Sequence, residues 1–187
     1  IMNGFGGAGA FSDGKYNFTT RFGGWLNDYL DDDYIMQLIE YVDDINISFG
    51  ATDERFSTET SAAKEISRAA LGHDLHLLSA SVKHLGTENN KQILTKMFDS
   101  LSKKLELVCN ANVTAIQKNT NEYLLTMKDG KVLKCKYLVA APGRSGAEWF
   151  SEQCRSLGLS LINNQVDIGV RVELPATIFE HITDAMY

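Results

Sequence analysis

The chain has 187 residues, 44% apolar and 22% charged, the balance of a globular domain with a buried core rather than of a disordered segment. Eighteen Lys and Arg stand against 24 Asp and Glu, and the resulting charge of −6 disfavours a nucleic-acid partner. No apolar run reaches the roughly 20 residues that cross a bilayer, and no segment reads as a signal peptide.

Residues 1–24 contain seven of the fifteen glycines, a density suited to a backbone that turns tightly or approaches a ligand closely. From Asp31 onward, Ile35, Leu38, Ile39, Val42 and Ile45 recur at three- and four-residue spacing, which predicts a helix. Asp31, Asp32 and Asp33 suit its positive N-terminal end and Gly50 its stop. A short Ala-rich helix is expected over 61–71, whereas 73–85 fits either extended chain or irregular loop. Thr87 can cap a further helix with Ile93, Leu94, Met97, Phe98 and Leu101 on one face. The period then falls to two, with β-type runs expected at 105–109, 111–118, 121–127 and 131–141 and a hairpin turn at Asp129-Gly130. Residues 137–141 (YLVAA) have the apolar character of a buried strand, ended by Pro142-Gly143. A helix over 147–157 stopped by Gly158, and an extended run over 165–174, complete an α/β pattern.

Because the chain opens at Ile1 and stops at Tyr187 inside sequence that still reads as ordered, it is expected to be a piece of a larger polypeptide. The three cysteines, Cys109, Cys135 and Cys154, form no C-x-x-C pair, so a reducing cytoplasm is the plain expectation.

Gly4-Phe5-Gly6-Gly7-Ala8-Gly9 formally matches G-x-G-x-x-G. That motif holds a dinucleotide only when a strand feeds it and a helix leaves it. Three residues precede it here, and Gly14 and Asn17 interrupt any helix after it, so it does not read as a Rossmann phosphate loop. It does offer backbone N–H groups beside Ser12, Asp13 and Lys15, suited to a polar ligand. The same composition equally suits a solvated surface loop.

The stretch from Gly4 to Lys15 (GFGGAGAFSDGK), together with Ala141-Pro142-Gly143-Arg144-Ser145-Gly146, resembles a family of bacterial FAD-dependent dehydrogenases, largely uncharacterised. Residues 73–78 (HDLHLL) and 164–173 (NQVDIGVRVE) are similar to the same family. The resemblance implies an incomplete three-layer FAD/NAD(P)-binding fold whose first βαβ unit lies upstream of Ile1. Residues 1–160 would be the partial FAD domain, with its β-meander, and 161–187 the start of a substrate-side domain. It further implies that Gly9, Ala10, Phe11, Ser12, Gly14 and Lys15 form a second contact loop for FAD. Val113 would meet the adenine through its backbone, and Ala141, Pro142, Gly143 and Arg144 would return the chain to the cofactor. A glycine after a buried strand does leave room for a ligand at the strand's carboxyl end. Arg144 there suits a phosphate or carboxylate, and equally an exposed helix entrance.

Other constellations carry less. His73, His76 and His84 lack a recognised metal-ligand spacing, so no metal is expected. Ser145 is not in a G-x-S-x-G elbow. The cysteines and both tryptophans, Trp25 and Trp149, suit packing, and no residue stands out as catalytic. The expected function is flavin-mediated electron or hydride transfer on an unknown small-molecule substrate, with NAD(P)H as candidate donor and neither nucleic-acid nor membrane partner. The rival expectation is a non-catalytic module that binds a ligand or a partner.

Overall fold

The computed structural model describes residues 3–163, 166 and 168–186. It is mixed α/β, with two three-stranded antiparallel sheets and five α-helices among the described residues. The chain divides into two compact units: residues 8–100 with 170–187, and residues 1–7 with 101–169.

The first unit holds the sheet of β1 (Lys15–Phe18), β2 (Phe56–Ser57) and β3 (Ser81–His84), with β3 central. Tyr16 pairs with Lys83 and Phe18 with Ser81, so these four side chains share one face of the sheet. The same unit holds α1 (Asp32–Ser48), α2 (Ser61–Leu71), α3 (Thr87–Leu101) and α5 (Ala176–Met186); α1 packs on β1, and α5 packs on α2. The α1 helix begins where the acidic run predicts. The Asp31 carboxylate accepts the Tyr34 N–H at 2.9 Å, and Gly50 follows the last turn at φ +107°. Thr60 caps α2 in the same way through the Ala63 N–H. Phe18, Ile35, Ala63, Ala80, Leu85 and Ile93 form the apolar core.

The second unit is the meander β4 (Val113–Lys118), β5 (Tyr123–Met127) and β6 (Val132–Cys135), with α4 (Ala147–Ser156) beside it. Asp129-Gly130 makes the β5–β6 turn: Gly130 has φ +86°, and the Asp129 carboxylate accepts the Lys131 N–H. The open edge of β4 is covered by side chains from α4. Gln153 Oε1 accepts the Ile116 N–H at 2.9 Å, and Trp149 Nε1 donates to the Thr114 carbonyl at 3.0 Å. These two residues lie four apart on one helix face, so a single face satisfies successive edge groups. Ile116, Met127 and Cys154 are the buried apolar residues here.

Several expectations need correcting. Residues 105–109 form no strand, and the run expected over 131–141 stops pairing at Cys135. Residues 137–141 have no ladder partner among the described residues, with Tyr137 90% and Val139 92% exposed. An apolar run of this kind becomes a buried strand only where neighbours pair both edges and cover both faces. The extended run at 165–174 lies partly outside the described residues, which exclude 164, 165 and 167. Its described part is unpaired there, with Val166, Ile168 and Val170 exposed. Conversely, β1 and β3 escape a periodicity reading because each is four residues long and carries lysine. Cys109 is exposed rather than packed.

Candidate functional site

Gly7–Phe11 coils into a 3-10 turn, and the chain continues through Ser12, Asp13 and Gly14 into β1. Gly14 has φ +70°, and a Cβ there would stand 2.9 Å from Leu85 Cβ and 3.2 Å from Asn90 Cβ. Both conformation and space therefore require glycine at this position. Around Gly4, Gly7 and Gly9 the space a Cβ would enter is open.

The Gly9 carbonyl accepts from Ser12 N–H (3.2 Å), from the Ser12 hydroxyl (3.0 Å) and from Asn90 Nδ2 (2.6 Å). Asn90 Nδ2 also reaches the Ser12 carbonyl at 3.4 Å, while its Oδ1 lies 3.5 Å from the Tyr16 hydroxyl. The Gly14 N–H donates to Ser12 Oγ. The loop is thus more self-contained than its glycine content implies, since Ser12 and the Gly14 amide are committed internally. Phe11 and Lys15 remain exposed at its surface, and Asp13 lies 3.3 Å from His84 Nε2.

A charge network, buried at Lys83 and Asp43 and part-exposed at Arg55 and Glu40, joins β3 to α1 in the first unit. Lys83 is fully buried and places Nζ 2.7 Å from both Asp43 carboxylate oxygens. Arg55 donates to Asp43 at 2.7 Å and binds Glu40 through two nitrogens at 2.8 and 2.6 Å. Its guanidinium stacks 3.7 Å over the Phe18 ring. Two cations meet two anions, so the cluster is neutral overall. The Arg55 hydrogen bonds hold the Glu40 carboxyl below the usual glutamate range, and the carboxylates raise the Arg55 pKa. Burial, with the Asp43 charge second, raises the Tyr16 pKa. The network also corrects the expected helix face: Val42 is 52% exposed, while Asp43 and Asn46 turn inward. No local sequence signal marks the network, because Lys83 lies on a strand too short to read by periodicity and Asp43 lies outside the apolar series read for α1.

In the second unit, Val113 lies at a β-bulge where β4 shifts register against β5. Ala141 and Pro142 precede Gly143, which has φ +66° and ψ −166°, a region open essentially to glycine alone. A Cβ on Gly143 would meet open space, whereas one on Gly146 would stand 2.5 Å from Pro142 Cβ. The turn therefore depends on two glycines for two reasons. Arg144 is exposed at the start of the 3-10 turn that leads into α4.

The sequence-predicted site residues thus fall into two groups, Gly9 to Lys15 in one unit and Val113 with residues 141–144 in the other. Among the described residues no group of three His, Cys, Asp or Glu is placed to hold a metal ion. No protein-family model matches the chain, and a search of curated proteins finds no match.

Proposed function

We propose that this chain is part of an FAD-dependent oxidoreductase and contributes contact turns to an FAD/NAD(P)-binding fold in the cytoplasm. The observation that carries the reading is the glycine-rich loop. Its conformation requires glycine at Gly14, and the Cβ side of Gly9 is open in the same unit as the exposed Lys15. Open Cβ space beside a cation suits a phosphate-bearing cofactor. Gly143, with open Cβ space next to the exposed Arg144, repeats the combination in the other unit.

Bound flavin would supply the acceptance of a hydride or electrons, with NAD(P)H as the candidate donor. The chain's own residues would bind and orient. Gly9, Ala10, Phe11, Ser12, Gly14 and Lys15 would form the contact loop, and the Val113 backbone would meet the adenine. Ala141, Pro142, Gly143 and Arg144 would bring the chain back to the cofactor. The pyrophosphate cradle would come from residues outside this chain.

The test is the absorption spectrum of the whole protein as purified, followed by FAD titration of the stripped protein. We expect near-stoichiometric flavin that bleaches on reduction; a whole protein that neither carries nor binds FAD overturns the proposal. The exposure of Val166, Ile168, Val170, Val172 and Leu174, an alternating apolar series, favours a partner-binding module as the second reading.

A further inference from the structure

Asn90 lies in the first turn of α3 and is 2% exposed. Its carboxamide nitrogen faces the Gly9 and Ser12 carbonyls, at 2.6 and 3.4 Å. Both are acceptors only, so the group facing them must be the NH2 donor. The described peptides of the loop are trans, which sets each N–H opposite its own carbonyl. With the Ser12 carbonyl turned toward Asn90, the Asp13 N–H faces away from it. The Gly9 carbonyl is held harder still, by three donors.

We infer that Asn90 is the positioning residue of the glycine-rich loop, fixing the 9–10 and 12–13 peptides so that the Asp13 amide is presented to a ligand's hydrogen-bond acceptor. This rests on the reading of the loop as an FAD contact. Asn90 belongs to a helix that begins about 80 residues further along the chain. Ser12 closes the loop locally, and Asn90 ties that closed loop to the body of the unit.

The test compares Asn90→Asp, Asn90→Ala and Ile93→Ala in the whole protein. Asn90→Asp sets an acceptor against two carbonyl oxygens, and Asn90→Ala removes the donor without adding charge, which keeps the test usable if the aspartate variant does not fold. Ile93→Ala is the control, because Ile93 is equally buried on the same helix and none of its atoms hydrogen-bonds the loop. Three quantities are read: amide hydrogen exchange over residues 9–14, the FAD dissociation constant, and the urea midpoint of the apo protein. Both Asn90 variants are expected to speed exchange across the loop and to weaken FAD by about tenfold, the loss of two hydrogen bonds. Ile93→Ala is expected to lower the urea midpoint with loop exchange and FAD affinity near wild type. Wild-type exchange and affinity in the Asn90 variants overturn the inference, as does an equal loss of affinity in Ile93→Ala. If the wild-type whole protein binds no FAD, the flavin reading fails separately, and the exchange comparison still decides whether Asn90 fixes the loop.

Discussion

Taking an ammonium out of water is strongly unfavourable unless an anion meets it with good geometry. Among the described residues Lys83 satisfies that condition through Asp43, and Asp43 in turn is shared with Arg55. Lys83→Met should therefore destabilise the protein by about 3 kcal/mol in urea titration, because it leaves a buried carboxylate with one partner in place of two. Adding Asp43→Leu should restore part of that loss; a single-variant loss within about 0.5 kcal/mol of zero would mark the pair as energetically idle. Tyr16 gives a pH signature. Its folded pKa lies above the ordinary value near 10, so its contribution is fully present below about pH 10 and is lost as pH rises through the raised value. Tyr16→Phe should flatten the alkaline limb of stability against pH, and an unchanged limb would show that other groups set it. Glu40 acts with the opposite sign, its contribution being lost as pH falls through its lowered pKa. Solvent screens it, because the carboxylate is nearly half exposed. None of these four charged residues was legible as a site, since charge in a sequence reads as surface until a partner from elsewhere in the chain is known.

At the scale of elements, local chemistry was legible and long-range pairing was not. The acidic start of α1, the Asp129-Gly130 turn and the Gly158 stop each depend on a few adjacent residues, and all three stand where the sequence puts them. Residues 137–141 show the other side: their apolar character reads as a buried strand, but a strand needs neighbours that no local pattern specifies. The edge of β4 is a further case, because its backbone partners come from the side chains of α4. Gln153→Leu would leave the Ile116 N–H without its acceptor and should cost about 1–3 kcal/mol of stability. Gln153→Glu keeps an acceptor and should cost less; equal losses in the two variants would assign the effect to packing. Gly143→Ala should cost a similar 1–3 kcal/mol in the apo protein, because a side chain is forced into the glycine-only region. A wild-type unfolding midpoint for Gly143→Ala would mean that the turn relaxes at little expense.

Across the whole molecule, every pair in the ladders of both sheets is antiparallel. A pyrophosphate cradle of the dinucleotide type needs a parallel β–α–β unit with its glycine-rich turn at a helix N-terminus. The formal G-x-G-x-x-G at Gly4 to Gly9 instead ends inside the five-residue 3-10 turn Gly7–Phe11, which a strand follows, so it presents no long helix to a phosphate. The glycines are legible in sequence, but what holds the Gly9 carbonyl and the backbone at Gly14 is not, because Asn90 and Leu85 reach them from some 70–80 residues away. In the flavin reading, then, the chain supplies contacts around the cofactor but not the element that holds most of its charge. The 187-residue chain purified alone should accordingly hold FAD far below one equivalent. In titration it should bind FAD at least about a hundredfold more weakly than the whole protein, since a phosphate site makes several charge-assisted hydrogen bonds worth roughly 1.5–3 kcal/mol each. Flavin content after desalting and a fluorescence titration measure the two quantities on the same samples. Tight, near-stoichiometric FAD on the chain alone would show that the loop at Gly4 to Lys15 and the turn at Gly143 suffice, and the separate cradle would have to be abandoned.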